Sequence, residues 1–220
     1  MAENTTSNTK LEVSKVTLPG VYIIESLDID DENGPREGKI IADILEMSGI
    51  ENQYFYVRTK DELVYFIDKF VESEFRFLHL SCHGNEHGIA TTLDNISNEE
   101  LKNILKGKLK FRRLFLSACA AVNPNLACSL FPSSQCNSIV GPSQAVFMDE
   151  IAIFWASFYH LMFKNNPSAM KKIDLISTLD SLAKLYVIPI KYFKKKLGTP
   201  FYSEQKLMSG ASKPSLSDYD

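Results

Sequence analysis

The chain has 220 residues, of which 45% are apolar, and it carries a formal net charge of −3 at pH 7. A chain of this length and apolar content buries a substantial core, which predicts a globular protein rather than a disordered one. The longest apolar run, residues 151–163, is too short to cross a bilayer, and no charged-then-apolar leader is present at the N-terminus. We therefore expect a soluble cytoplasmic protein that is neither secreted nor membrane-spanning.

Short apolar runs alternate with helical patterns along the chain. The predicted strands are 20–26, 52–58, 75–82, 112–118 and 137–143. The predicted helices are 39–49, 60–73, 97–107, 149–164 and 170–186, and residues 187–193 begin a last short strand or helix. Residues 1–12 and 203–220 are polar and lack periodicity, so we expect flexible tails around a single domain at 13–202.

This alternation predicts the fold class. Strands that are apolar on both faces and separated by helices favour a mainly parallel central sheet with helices on both sides, an α/β/α sandwich of three layers. Ligands and chemistry in such sheets gather beyond the carboxyl ends of the strands.

Two further features bear on partners. The most basic stretch, "KYFKKKLG" at 191–198, is interpreted as a solvated helix end, so no nucleic-acid partner is predicted. The four cysteines lack a CxxC pair, which favours reduced thiols and no structural disulfide. Cys82, His83, His87 and Cys119 are possible zinc ligands, but the spacing of these residues fits no common zinc pattern. We therefore predict neither a metal nor a cofactor.

Two predicted strands end in reactive residues. "FRFLHLSC" is followed by His83 and Gly84, and "RRLFLSA" is followed by Cys119. A right-handed crossover through the intervening helix typically sets the two strands side by side, so we expect His83 and Cys119 at the same edge of the sheet. Strand alternation turns Cys82 away from His83, which leaves Cys119 as the candidate nucleophile.

A histidine beside a cysteine supports nucleophilic catalysis, because the imidazole can take the proton of the thiol. Gly84 lets the backbone approach a substrate, and the N–H groups of Gly84 and Cys119 can form an oxyanion hole. The alternative is that Cys119 is a small buried residue and His83 a structural hydrogen-bonding group.

The segments "HLSCHG" (79–84) and "LFLSACAA" (114–121) resemble the caspase-like cysteine peptidases, most closely the bacterial CHAT-type domains related to separase. "SIVGPSQAVFMDEIAIFWASFYHLM" (138–162) is similar to the strand, acidic turn and helix of that family, so the resemblance covers roughly residues 75–163. It implies a caspase-like fold, with His83 as general base and Cys119 as nucleophile.

The resemblance also implies a pocket for the side chain before the scissile bond, the P1 side chain. Asp149, with Glu150 as second choice, is the expected acidic residue that selects Lys or Arg. Asp149 also suits the N-cap of a helix over 150–164, and both interpretations stay open. As an alternative, the resemblance to caspases offers Arg36, in Arg36-Glu37-Gly38, as the counterpart of the arginine that receives an acidic P1 side chain, although the following Asp43 is displaced by one residue from the caspase spacing.

The leading hypothesis is therefore a cysteine endopeptidase that cleaves proteins or peptides after Lys or Arg. The resemblance implies a regulated role in stress, cell death or bacterial defence, with activation expected from a partner protein, a prodomain-like tail or self-cleavage. One alternative is a catalytically silent caspase-like scaffold. Another is a nucleotide-directed enzyme that uses the acidic residues 28–32, although the chain has no Gly-rich phosphate loop.

Overall fold

A computed structural model describes residues 17–207 of the chain. The strands, in chain order, are β1 Leu18–Glu25, β2 Asn52–Tyr56, β3 Phe75–Ser81, β4 His83–Asn85, β5 Gly88–Ala90, β6 Asn95–Ser97, β7 Arg113–Ser117, β8 Ser138–Pro142, β9 Ile190–Lys195 and β10 Tyr202–Leu207. The helices are α1 Glu37–Met47, α2 Lys60–Ser73, α3 Asn98–Leu105, α4 Pro124–Ser134, α5 Met148–Asn165 and α6 Lys172–Leu185.

Seven strands form the central sheet, in the order β10-β9-β8-β7-β3-β1-β2. The five strands from β8 to β2 run parallel, whereas β9 and β10 are antiparallel additions at one edge. Strands β4, β5 and β6 form a separate small antiparallel sheet. The prediction of a mainly parallel central sheet is confirmed.

Helices cover both faces of the sheet, which is compatible with a three-layer sandwich. One apolar core joins the sheet to α2, α3 and α4, and the other joins it to α1, α5 and α6. The aromatic side chains of α5, including Trp155 and Phe158, are fully buried in the second core. No helix formed by residues 17–207 combines the length and apolar character that crossing a bilayer requires.

The local start and stop signals explain the helix bounds. Ser97 and Glu100 form a capping box at the start of α3, in which each side chain accepts a hydrogen bond from a backbone N–H of the other residue. Gly107 has a φ of 71°, so the left-handed conformation that glycine favours follows the end of this helix. Helix α2 begins with a second capping box, formed by Thr59 and Glu62.

Two predictions about the C-terminal part are wrong. The basic stretch at 191–198 lies largely in strand β9 and not at a helix end, because residues 190–194 pair with β8 and its aromatic residues Tyr192 and Phe193 are buried in the two cores. Residues 203–207 are not part of a tail, since β10 pairs with β9 along its whole length. The predicted tail residues 1–12 and 208–220, and residues 13–16 of the predicted domain, lie outside the described residues.

Candidate active site

The carboxyl ends of three neighbouring parallel strands lie side by side at one end of the central sheet, which we call its carboxyl edge. Glu25 of β1 is the register partner of Ser81 of β3, and Ser81 is the partner of Ser117 of β7. His83 and Cys119 each follow their strand by two residues, and the Cys82 N–H donates to the Ser117 carbonyl 3.0 Å away. The prediction that these two strand ends lie side by side is confirmed.

His83 and Cys119 line the same cavity, of about 60 Å³, at this edge. We call it the dyad cavity. Its described lining residues are Leu27, Glu37, Ser81, Cys82, His83, Ser117, Ala118, Cys119, Val146, Met148 and Ile151. A cavity of this size holds only a few water molecules, so a larger occupant requires movement of its wall.

Cys119 lies at the start of a sharp turn between β7 and α4. Ala120 has a φ of 54°, and its N–H donates to the Gln144 carbonyl. The Cys119 thiol donates weakly to the Val146 carbonyl, 3.7 Å from Sγ. The Cys119 N–H makes no hydrogen bond with any residue of the described chain and is therefore available to a ligand.

Asn123 holds this turn in place. Its amide Nδ2 donates to the carbonyls of Ala120, Ala121 and Glu86, and its Oδ1 accepts from the N–H of Leu126 as the N-cap of α4. One side chain therefore connects the turn after Cys119, the start of α4 and the loop that follows His83.

Gly84 packs directly against the turn after β7. A Cβ atom on Gly84 would lie 2.9 Å from the Ala118 Cβ, closer than Cβ atoms come in real structures, and 3.3 Å from the Ala121 Cβ, a tight contact. Gly84 also pairs with Ile89 in the small sheet. The absence of a side chain thus allows β4 to lie against the residues that flank Cys119, where an oxyanion hole from Gly84 and Cys119 was predicted.

Two exposed carboxylates lie beside His83. Its Nε2 atom is 3.6 Å from Asp28 Oδ2 and 3.8 Å from Asp31 Oδ2, both on the loop after β1. Within the described chain these three groups also form a set that can hold a metal ion, since their ligand atoms all lie within 4.8 Å of one another. The set does not include Cys82, His87 or Cys119, the other members of the zinc site considered from the sequence.

Glu37 is the residue at this site that sequence reasoning missed. It is the first residue of α1, its side chain is only 5% exposed, and its Oε2 accepts hydrogen bonds of 3.0 Å from Ser81 Oγ and from Ser117 Oγ. Its Oε1 makes no hydrogen bond with a described residue, although His79 Nε2 lies 3.4 Å away. A carboxylate thus lines the dyad cavity.

More buried polar groups lie beneath Glu37. Glu25 is fully buried, and its two carboxylate oxygens accept hydrogen bonds from the Gly38 N–H at 2.8 Å and the Tyr54 hydroxyl at 2.7 Å. Burial raises the pKa of Glu25 above its ordinary value, and the nearby Glu37 adds to this effect. His79 is also fully buried, with Nδ1 3.0 Å from the Tyr159 hydroxyl.

The predicted pocket residues lie around the dyad cavity and not in it. The Arg36 guanidinium donates to the Glu32 carbonyl at 3.0 Å and lies 4.2 Å from the centre of the Tyr56 ring. Asp149 lines an adjoining cavity of about 280 Å³, which shares Glu37 and Met148 with the dyad cavity. Glu150 lines neither cavity.

The alternative role of Asp149 as an N-cap is wrong. Helix α5 begins at Met148, and its N-cap is Phe147, which makes no side-chain capping bond. Asp149 lies in the first turn, where its negative charge still interacts favourably with the helix dipole.

Cys82 also lines the dyad cavity, so strand alternation alone does not remove it from the site. Its chemistry separates it from a nucleophile, because burial first, and the nearby Glu37 and Cys119 next, raise the pKa of the Cys82 thiol above its ordinary value. A thiol held in its protonated form is a weak nucleophile. Cys119 therefore remains the better candidate.

A scan against protein-family models matches no family, and a search of curated proteins finds no match. At the dyad cavity a thiol, an imidazole, an unpaired backbone N–H and a buried carboxylate converge. This combination suits acyl transfer with a positively charged group bound nearby.

Proposed function

We propose that the chain is a caspase-like cysteine endopeptidase in which Cys119 is the nucleophile and His83 the general base. The observation that carries the proposal is that both residues line one cavity at the carboxyl edge of the parallel sheet. Chemistry gathers at this edge in α/β sheets. The turn after β7 supports the proposal further, because it leaves the Cys119 N–H unpaired beside the thiol.

The reaction consists of two acyl transfers. His83 accepts the thiol proton while Cys119 Sγ bonds to the peptide carbonyl carbon, and the N–H groups of Cys119 and Gly84 stabilise the oxyanion. His83 then gives the proton to the leaving amine as the C–N bond breaks, which leaves a thioester. Water attacks the thioester with its proton taken by His83, and the acid product and the free thiol are released.

The P1 side chain that fits this site is a basic one. The dyad cavity contains the buried Glu37 carboxylate, one oxygen of which has no hydrogen-bond donor among the described residues. Arg36, which an acidic P1 side chain would require, is already engaged with Glu32 and Tyr56. An ammonium or guanidinium group in the cavity offsets the charge of this buried carboxylate, whose Oε1 lies 3.4 Å from His79 Nε2 without a hydrogen bond, so we propose cleavage after Lys or Arg.

A Lys or Arg side chain needs more room than the dyad cavity offers. Met148 lies between that cavity and the adjoining one lined by Asp149. Methionine side chains change conformation easily, and a shift of Met148 would merge the two spaces. In the merged pocket both Glu37 and Asp149 face the substrate, which keeps the acidic role proposed for Asp149.

The test is cleavage of a peptide library at neutral pH by wild type, with Cys119→Ala as the control. We expect cleavage after Lys or Arg that Cys119→Ala abolishes. Cleavage that survives in Cys119→Ala would contradict the mechanism. Absence of cleavage, together with absence of labelling by thiol-directed peptide electrophiles, would favour a scaffold that keeps the fold without turnover.

The family resemblance extends this proposal to biology. We propose a cytoplasmic protease with a regulated role in stress, cell death or bacterial defence, switched on by a partner protein. These points rest on analogy between folds and not on the site.

A further inference from the structure

A further cavity, of about 410 Å³, lies at the other end of the parallel strands from Cys119, beside the first residues of β7 and β8. We call it the basic cavity. Its described lining residues are Arg113, Asn137, Ser138, Lys172, Tyr192, Lys194, Lys195, Lys196 and Leu197. Five of these nine carry a positive charge and none is acidic, so the cavity concentrates positive potential.

The sheet register explains why the cations converge. Arg113 of β7 is the register partner of Ser138 of β8, and Ser138 is the partner of Lys194 of β9. Register partners point to the same face of a sheet and lie about 5 Å apart, so these three side chains form a row across three strands. Lys172 joins them from the start of α6.

Two polar atoms in this row lack the partners that buried groups normally have. Arg113 Nη1 is buried and makes no hydrogen bond with any residue from 17 to 207. Ser138 is only 1% exposed, and its Oγ, beside the Tyr192 side chain, likewise makes no hydrogen bond of standard geometry. Burial lowers the pKa of the Arg113 guanidinium, the direction expected where no carboxylate offsets its charge.

The start of helix α6 adds to the positive potential of the basic cavity. The N-cap of α6 is Lys171, which makes no side-chain capping bond, so the first N–H groups of a 14-residue helix lack a side-chain acceptor from that residue. Asp174, in the first turn, is not among the residues that line the cavity. Unpaired N–H groups at a helix start suit an anion.

We propose that the basic cavity binds a small ligand that carries two or more phosphate groups. Its volume is in the usual range for small-molecule sites, about 300–1,000 Å³. Each phosphate group carries roughly −1.5 to −2 at neutral pH, so two or three of them match the five cations. The ligand is recognised by its phosphates, because Tyr192, the one aromatic residue of the lining, is 3% exposed and offers no surface for stacking a base.

The full chain tests this proposal by isothermal titration with inorganic tripolyphosphate, a probe without a base or sugar. We expect one saturable site on wild type, and no comparable binding of sulfate at matched ionic strength. Lys194→Gln/Lys196→Gln should weaken tripolyphosphate binding at least about tenfold, because hydrogen bonds to charged groups are lost. The matched control Lys106→Gln/Lys206→Gln removes the same charge at exposed lysines outside the cavity and should change binding less than about twofold.

Ser138→Ala provides a second variant with little expected effect on the fold, since the hydroxyl that it removes lies beside the Tyr192 side chain and makes no hydrogen bond of standard geometry. It should also weaken binding, whereas its thermal unfolding without ligand should match wild type. Several results would overturn the proposal: no saturable binding to wild type, equal weakening in both double variants, or binding of a long single-stranded oligonucleotide without binding of tripolyphosphate. The outcome is independent of peptidase activity.

Discussion

Gly84→Ala places a methyl group where β4 meets the turn after β7. The added Cβ would lie 2.9 Å from the Ala118 Cβ, 3.2 Å from the Gly88 carbonyl oxygen and 3.3 Å from the Ala121 Cβ. Carbon atoms at best contact are about 3.5–4.0 Å apart, so β4 and the turn must separate by several tenths of an ångström. Overpacking of this kind typically costs about 1–3 kcal/mol.

Two measurements follow from this displacement. Thermal unfolding should shift down by about 2–12 °C, since each kcal/mol moves the midpoint by roughly 2–4 °C in a domain of this size. Peptide cleavage should fall by at least about tenfold, because a misplacement of reacting groups by about 1 Å can lower the rate roughly a hundredfold and the displacement here is a substantial fraction of that. Gly34→Ala is the matched control, since its Cβ would approach only the Asp31 carbonyl oxygen, at 3.2 Å.

A double-mutant cycle with Ala118→Gly tests whether the contact with the Ala118 methyl group causes the destabilisation by Gly84→Ala. Removing the Ala118 methyl group takes away the nearest contact, so Gly84→Ala/Ala118→Gly should be less destabilised than the sum of the single variants, by about 1 kcal/mol. Additive effects, or a Gly84→Ala variant as stable and active as wild type, would refute the packing of Gly84 against the Cys119 turn.

Three further predictions concern charged groups. Glu37→Gln should lower kcat/KM about 10- to 100-fold for substrates with Lys or Arg at P1 but less than about threefold for substrates with a neutral P1 residue, because one charge-assisted contact is lost. Equal losses on both kinds of substrate would contradict this. So would a similar change in the exposed control Glu46→Gln. In the capping box of α3, backbone and side-chain hydrogen bonds from Ser97 lower the pKa of Glu100 to about 2 from an ordinary value of 4.5. Its ionised form therefore stabilises the fold above about pH 4.5, and the stability difference between wild type and Glu100→Gln, measured by urea unfolding, should shrink as the pH falls toward about 2. Asp28→Asn/Asp31→Asn should lower kcat/KM less than about fivefold, since both carboxylates are exposed and such pairs contribute about 0–1 kcal/mol; a loss of a hundredfold would make them integral to the action of His83.

The order of strands and helices followed from local patterns. Helix α2 has the bounds that its apolar stripe and acidic first turn predict, and the parallel strands differ from their predictions by one or two residues. Helix α4 was missed because Pro132 interrupts its pattern. The small sheet of β4, β5 and β6 was missed because three-residue strands are too short to show alternation.

The site was predictable only where its residues follow strands. Parallel pairing places Ser81 and Ser117, the last residues of β3 and β7, side by side. The positions of His83 and Cys119 therefore follow from the order of the elements. Glu37 comes from another part of the chain, and its contacts depend on how α1 packs on the sheet. A signal was nevertheless present, because Glu37 precedes Ile41 and Leu45 at helical spacing and lies on the same buried stripe.

The most direct test of the account is the rate at which a peptide-derived electrophile labels each cysteine, measured by mass spectrometry on the intact fold. We expect Cys119 to react much faster than the exposed Cys128, which is the internal control. His83→Ala should slow labelling at Cys119 by about 10²- to 10⁴-fold and leave Cys128 unchanged. Equal rates at Cys119 and Cys128, or a Cys119 rate that does not depend on His83, would contradict a catalytic dyad.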